Sequence, residues 1–137
     1  MIPRLPKVVI DTNTFVSAVL NVSSVPAQAV NKALRTSVVL KSLDTWQELE
    51  EVLLRPKFER YSAGKLRQDY LQFLMEAMEL VSVLTEVSVC RHAKDNKFLA
   101  LALDGQADAI ITGDADLLVL HPFQGVSILS PSAYLAL

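Results

Sequence analysis

Three β-branched apolar residues in succession, Val8, Val9 and Ile10, run directly into Asp11. A strand with one wet face alternates apolar and polar side chains. A continuous run suits a strand covered on both faces, which is the signature of a parallel sheet between helix layers. Ala109, Ile110 and Ile111 repeat the pattern and end on Thr112, Gly113 and Asp114. Two buried strands that each deliver a carboxylate at their C-terminal end restrict the chain to an α/β fold with acids at one edge of its sheet.

The rest of the pattern agrees. Strands are expected at residues 7–11, 38–40, 87–89, 109–112 and 126–129. Helices are expected at 15–20, at 23–34, from Ser42 to about Arg55, from Gly64 to about Leu84, at 95–103, and briefly through Leu118. Pro56 should end the third helix, because the residue before a proline avoids helical geometry. Leu66, Tyr70, Leu71, Phe73, Leu74 and Met78 form a wide apolar stripe on the fourth, expected to pack on the core or on a partner helix. Strands alternating with helices imply a parallel sheet in helix layers.

The 137 residues suit one domain, residues 1–137, since a chain of this length removes roughly 70% of its unfolded surface from water. No apolar run is long enough to cross a bilayer. The opening MIPRLPKVVID lacks a secretory pattern, and the one cysteine, Cys90, has no disulfide or zinc partner set, so a cytoplasmic protein is expected. A net charge of -2 provides no general basic field, and any contact with a polyanion must be local. Lys57, Arg60, Lys65 and Arg67 make one basic stretch and Arg91, Lys94 and Lys97 another; both also read as ordinary solvated surface.

Ligands of open α/β sheets bind outside the carboxyl ends of the strands, where Asp11 and Asp114 are expected. Asp95 has the sequence position of a helix N-cap. On a helical wheel, however, it falls among Phe98, Leu99 and Ala102, with Lys97 and Asp104 on the opposite side. A carboxylate on a buried face needs a partner. On the helix after Ser42, Glu51 points to solvent, while Glu48 and Glu50 flank the apolar face of Trp46, Leu49, Val52 and Leu53, so either could reach inward. If Asp11, Glu48, Asp95 and Asp114 meet, each pair ~4 Å apart repels by ~4 kcal/mol at an effective dielectric near 20. Such a cluster must take up protons or cations. Hard oxygen ligands without histidine or thiolate suit Mg²⁺ or Mn²⁺, and point to metal-assisted attack on a phosphodiester.

At these residues nearly the whole chain resembles the PIN-domain family, nucleases with a three-layer α/β/α sandwich and a central, mainly parallel sheet. The resemblance is greatest to its subgroup of toxins from toxin-antitoxin systems. VVIDTNTFVSAVL is similar to the family's opening strand with its first acid, Asp11, supported by Thr12 and Asn13. SLDTWQELEEVLLRPKF resembles the second-acid helix and carries that acid onto Glu48. KDNKFLALALDGQADAIITGDADLL resembles the region of the third and fourth acids, here Asp95 and Asp114, with Asp116 as an auxiliary metal ligand.

The resemblance implies an endoribonuclease that binds one or two Mg²⁺ or Mn²⁺ ions and activates water for in-line attack on RNA. Asp11 and Asp114 would be primary ligands, Glu48 and Asp95 further ligands, and Asn13, Thr112 and Asp116 an orienting shell. It also implies an antitoxin partner and a homodimer. One departure stands out: the subgroup's Asp-Pro before the third acid is His92-Ala93 here, so a supporting acid is missing. A module that binds RNA or a protein without turnover is therefore the alternative. A phosphotransferase of the haloacid-dehalogenase type fits poorly, because its second acid would fall on Asn13.

Overall fold

The computed structural model describes residues 4–137. Five strands, β1 (Lys7–Ile10), β2 (Val38–Lys41), β3 (Glu79–Leu80), β4 (Ala109–Ile111) and β5 (Ser127–Leu129), form one sheet in the order β3-β2-β1-β4-β5. Every pairing is parallel, with Val9 opposite Ile110 and Ile110 opposite Ile128. The order places β1 at the centre and β4 beside it, so the two acid-bearing strand ends are neighbours.

The continuous apolar runs are explained by two cores, one on each face. Val8, Ile10, Val39, Ala109 and Ile111 face the first. It is completed by α1 (Thr12–Leu20), α2 (Val25–Thr36), α3 (Leu43–Leu53), α4 (Gly64–Ala77) and α7 (Pro131–Leu135). Val9, Leu40, Ile110 and Ile128 face the second, against α5 (Asn96–Asp104) and α6 (Ala115–Leu118). This is the expected three-layer α/β/α arrangement.

Several elements differ from expectation. The first helix begins at Thr12 rather than Phe15, because Asp11 caps it directly. Helix α4 stops at Ala77, not near Leu84; Met78 turns extended, and Glu79 and Leu80 pair with Leu40 and Lys41, extending the sheet beyond β2. The α4 stripe divides: Leu71, Leu74 and Met78 are buried, whereas Leu66 and Phe73 are more than half exposed. Residues 87–89 form no strand. Their segment is held by Val81, Val83 and Val87 against the second core and by the Asp104 carboxylate, which accepts from the backbone N–H groups of Leu84 and Thr85. Helix α7 was not anticipated.

Arg67 also differs from expectation. It is fully buried rather than part of a basic surface. Its guanidinium donates to the carbonyls of Leu53, Arg55 and Ser62 and pairs with Glu59. It thereby satisfies the free carbonyl of Leu53 at the end of α3 and holds the loop that follows.

Candidate active site

Asp11 is the N-cap of α1 and only 5% exposed. One carboxylate oxygen accepts from the backbone N–H of Thr14 at 2.9 Å and from its hydroxyl at 2.5 Å; the other accepts from the Thr112 hydroxyl at 2.5 Å. Thr112, at the end of β4, is itself fully buried and accepts from the backbone N–H of Asp114. Asp114 caps α6 through the backbone N–H of Asp116 at 2.9 Å. One hydrogen-bonded chain therefore joins the ends of the two central strands. Thr14 escaped the sequence reading, although a hydroxyl three residues after a capping acid is the place to look for its partner.

Glu48, and not Glu50, turns toward this edge from α3. One of its oxygens accepts from the Thr12 hydroxyl, and the other lies 3.3 Å from the Lys97 ammonium. Lys97, expected on the face opposite Asp95, lines the same cleft. The wheel misplaced it because Asp95 ends a 3₁₀ turn, Ala93–Asp95, and α5 begins only at Asn96. Asp95 occupies the N-cap position of α5 yet makes no capping bond.

Asp11, Glu48, Asp95 and Asp114 all line one cleft of about 570 Å³. Thr12, Asn13, Arg55, Lys57, Lys94 and Lys97 line it too, as do Asp44 and Glu51. Glu51, expected in solvent, is exposed but at the cleft wall. Asp116 is absent from this lining. Its carboxylate lies 3.2 Å from His92 Nε2, which turns both side chains toward each other.

The cluster is electrostatically costly as it stands. Burial pushes the Asp11 carboxyl above its ordinary range against the lowering effect of Thr112 and Thr14, and the Asp114 charge adds to the rise. Asp95 is pushed up by burial first, then by Asp114, with Lys94 opposing and Glu48 contributing. Its Oδ2 is buried without a donor, because the adjacent Asp114 is also an acceptor and the two can bond only by sharing a proton. The Cys90 thiol is raised by burial and by Asp95, Asp114 and Asp116, so it stays protonated and is a poor nucleophile.

The chemistry of this donor set fits a hard divalent cation: oxygen ligands, a buried oxygen without a partner, and repulsion that a cation would relieve. Among the described residues, no three His, Cys, Asp or Glu side chains are already arranged to hold a metal ion. The oxygens of Asp11 face hydroxyl donors, and those of Glu48 face Thr12 and Lys97.

A family model described as PIN domain matches residues 7–116. The chain belongs to the PIN-domain family. It is 35% identical over 120 residues to an uncharacterized protein of Methanocaldococcus jannaschii, covering 84% of this chain and 75% of that one. Solved structures share the PIN fold at low identity. VapBC2 from Rickettsia felis, bound to a DNA fragment from their promoter, gives a TM-score of 0.60 at 9% identity, covering 90% of this chain and 98% of that chain. PAE2754 from Pyrobaculum aerophilum gives 0.63 at 12%, covering 96% and 88%. DNA-bound VapBC from Salmonella typhimurium gives 0.61 at 15%, covering 93% and 99%. At such identities the likeness is one of fold. No helix among the described residues is long and apolar enough to cross a membrane.

Proposed function

We propose that the chain is a single nuclease domain, an endoribonuclease dependent on Mg²⁺ or Mn²⁺. The observation that carries this reading is the Asp95 oxygen, buried beside Asp114 with no donor, in a cleft that Asp11 and Glu48 also line. PIN domains are generally nucleases, which supports the reaction class.

Asp11 and Asp114 would hold the cation, with Glu48 and Asp95 as further ligands, directly or through water. When bound, such an ion lowers the pKa of water and stabilises charge on the reacting oxygens. The remaining groups position these four. Thr14 and Thr112 orient Asp11, Thr12 orients Glu48, and the Asp116 backbone N–H orients Asp114. The Asp116 side chain is assigned an outer role, because it pairs with His92 rather than facing the cleft. Asn13, exposed at the cleft, and the cations Arg55, Lys57 and Lys94 would meet the nucleic acid.

Purified protein incubated with RNA and Mn²⁺ should cleave it, whereas EDTA or Asp11→Asn should lower the rate at least about 100-fold, the scale of losing a principal electrostatic group. Cleavage unchanged in either control would remove the nuclease reading. One observation favours the non-catalytic alternative: Lys97 already neutralises Glu48 where the subgroup's extra acid is replaced by His92-Ala93. Retained RNA affinity without turnover would identify that alternative.

The VapBC structures support a role as the toxin of a toxin-antitoxin pair, acting in the cytoplasm as a homodimer and neutralised by an antitoxin protein. Expression with and without the neighbouring open reading frame tests this. Growth arrest relieved by the neighbour is the expected result, and equal growth in both strains the contrary one.

A further inference from the structure

Four cations line the cleft, but their surroundings differ. Arg55 lies 3.6 Å from the Glu51 carboxylate, Lys57 lies over the Phe58 ring, and Lys94 is exposed. Among the described residues, only Lys97 forms an ion pair with one of the four central acids. Both partners are largely sheltered, with side chains 23% and 21% exposed, so solvent screens this pair less than the others. The second Glu48 oxygen is bound to Thr12, which makes the oxygen facing Lys97 the one that an incoming cation must contest.

Resting on the nuclease reading, we infer that Lys97 is an internal counter-cation of the acid cluster which a divalent ion displaces from Glu48, and which then holds the phosphate of the bound nucleic acid. A lysine suits both tasks, being a compact charge on a flexible stem whose donors can turn to either partner. Lys97 also lies in the first turn of α5, next to Phe98 and two residues after Asp95, and lines the cleft with both, so its reach covers the acids and the cleft. The consequence is coupling: displacement opposes metal binding, while the released ammonium favours a phosphate that arrives after the metal. Because the coupling is a free energy, phosphate must raise metal affinity by the same factor as metal raises phosphate affinity.

Mn²⁺ titrated alone by calorimetry at pH 8 into the wild type, Lys97→Met and Lys97→Arg tests the first half. Lys97→Met should bind Mn²⁺ roughly fivefold more tightly, the scale of one partly sheltered ion pair, and Lys97→Arg should resemble the wild type. Adenosine 5′-monophosphate, a phosphate probe that contains no internucleotide bond, tests the second. Saturating Mn²⁺ should strengthen its binding to the wild type, and Lys97→Met should lose roughly fivefold of that affinity with a weaker salt dependence. Circular dichroism checks that each variant is folded. Mn²⁺ binding that is equal or weaker in Lys97→Met, or phosphate affinity that is unchanged, overturns the inference and leaves the nuclease reading standing. A wild type that binds no Mn²⁺ overturns both.

Discussion

Asp95 concentrates the tension of the site in one side chain. Its ordinary value is 3.8, and in the folded protein burial and Asp114 raise it. A carboxyl raised by folding binds its proton more tightly in the native state, so the stability it contributes is present below 3.8 and is lost as pH rises through the folded value. Asp11 shifts in the same direction. In EDTA, Asp95→Asn should therefore gain stability relative to the wild type as pH rises from the acid range to 8, by about 1 kcal/mol at the upper end, since the amide can donate to Asp114. Mn²⁺ should reverse the order by stabilising only the wild type strongly. Urea unfolding at pH 4 and pH 8, with and without Mn²⁺, measures this, and a variant less stable at pH 8 in EDTA would contradict it. The position of Asp11 at the cleft was legible from sequence because one strand end determines it. That of Lys97 was not: a helical wheel assumes that the helix already includes Asp95, and a 3₁₀ turn breaks the assumption.

At the level of elements, two positions fix how helices seat, Arg67 after α3 and Gly105 at the end of α5. Arg67 ties the end of α3, which carries Glu48, to the loop bearing Arg55 and Lys57. Arg67→Met would leave the Leu53 carbonyl buried without a donor and should cost about 3 kcal/mol, read as a lower urea midpoint. Loss of less than about 1 kcal/mol would show that water or another donor replaces it. Gly105 ends α5, and an added Cβ would meet Leu40 Cδ1 at 2.5 Å and the Leu101 carbonyl at 2.9 Å. A side-chain methyl can move, but a backbone carbonyl in the last helical turn cannot move freely. Gly105→Ala should thus destabilise by about 1–3 kcal/mol, and unchanged thermal unfolding would refute the close packing. Neither constraint was visible in the pattern: Arg67 reads as one of several surface cations, and nothing in the pattern marks Gly105. β3 was equally hidden, because Glu79 and Leu80 are exposed and their strand geometry depends on pairing with β2, some forty residues away in the chain.

For the whole molecule, topology explains why so much of the candidate site could be read in advance. A parallel sheet gathers every strand's carboxyl end at one edge, and the order β2-β1-β4 makes the ends bearing Asp11 and Asp114 neighbours. Glu48 and Asp95 then come from opposite helix layers, α3 from the first core and the turn before α5 from the second. The cleft gathers six acidic and four basic side chains, although the net charge of the chain is only -2. The central claim is that this convergence forms a divalent-cation site. Anomalous diffraction from a crystal soaked in Mn²⁺ tests it most directly: the account predicts ion density bound by Asp11 and Asp114 within reach of Glu48 and Asp95. Millimolar Mn²⁺ that leaves the cleft without anomalous signal, with Asp11 still held by Thr14 and Thr112 and Glu48 by Thr12 and Lys97, would contradict it.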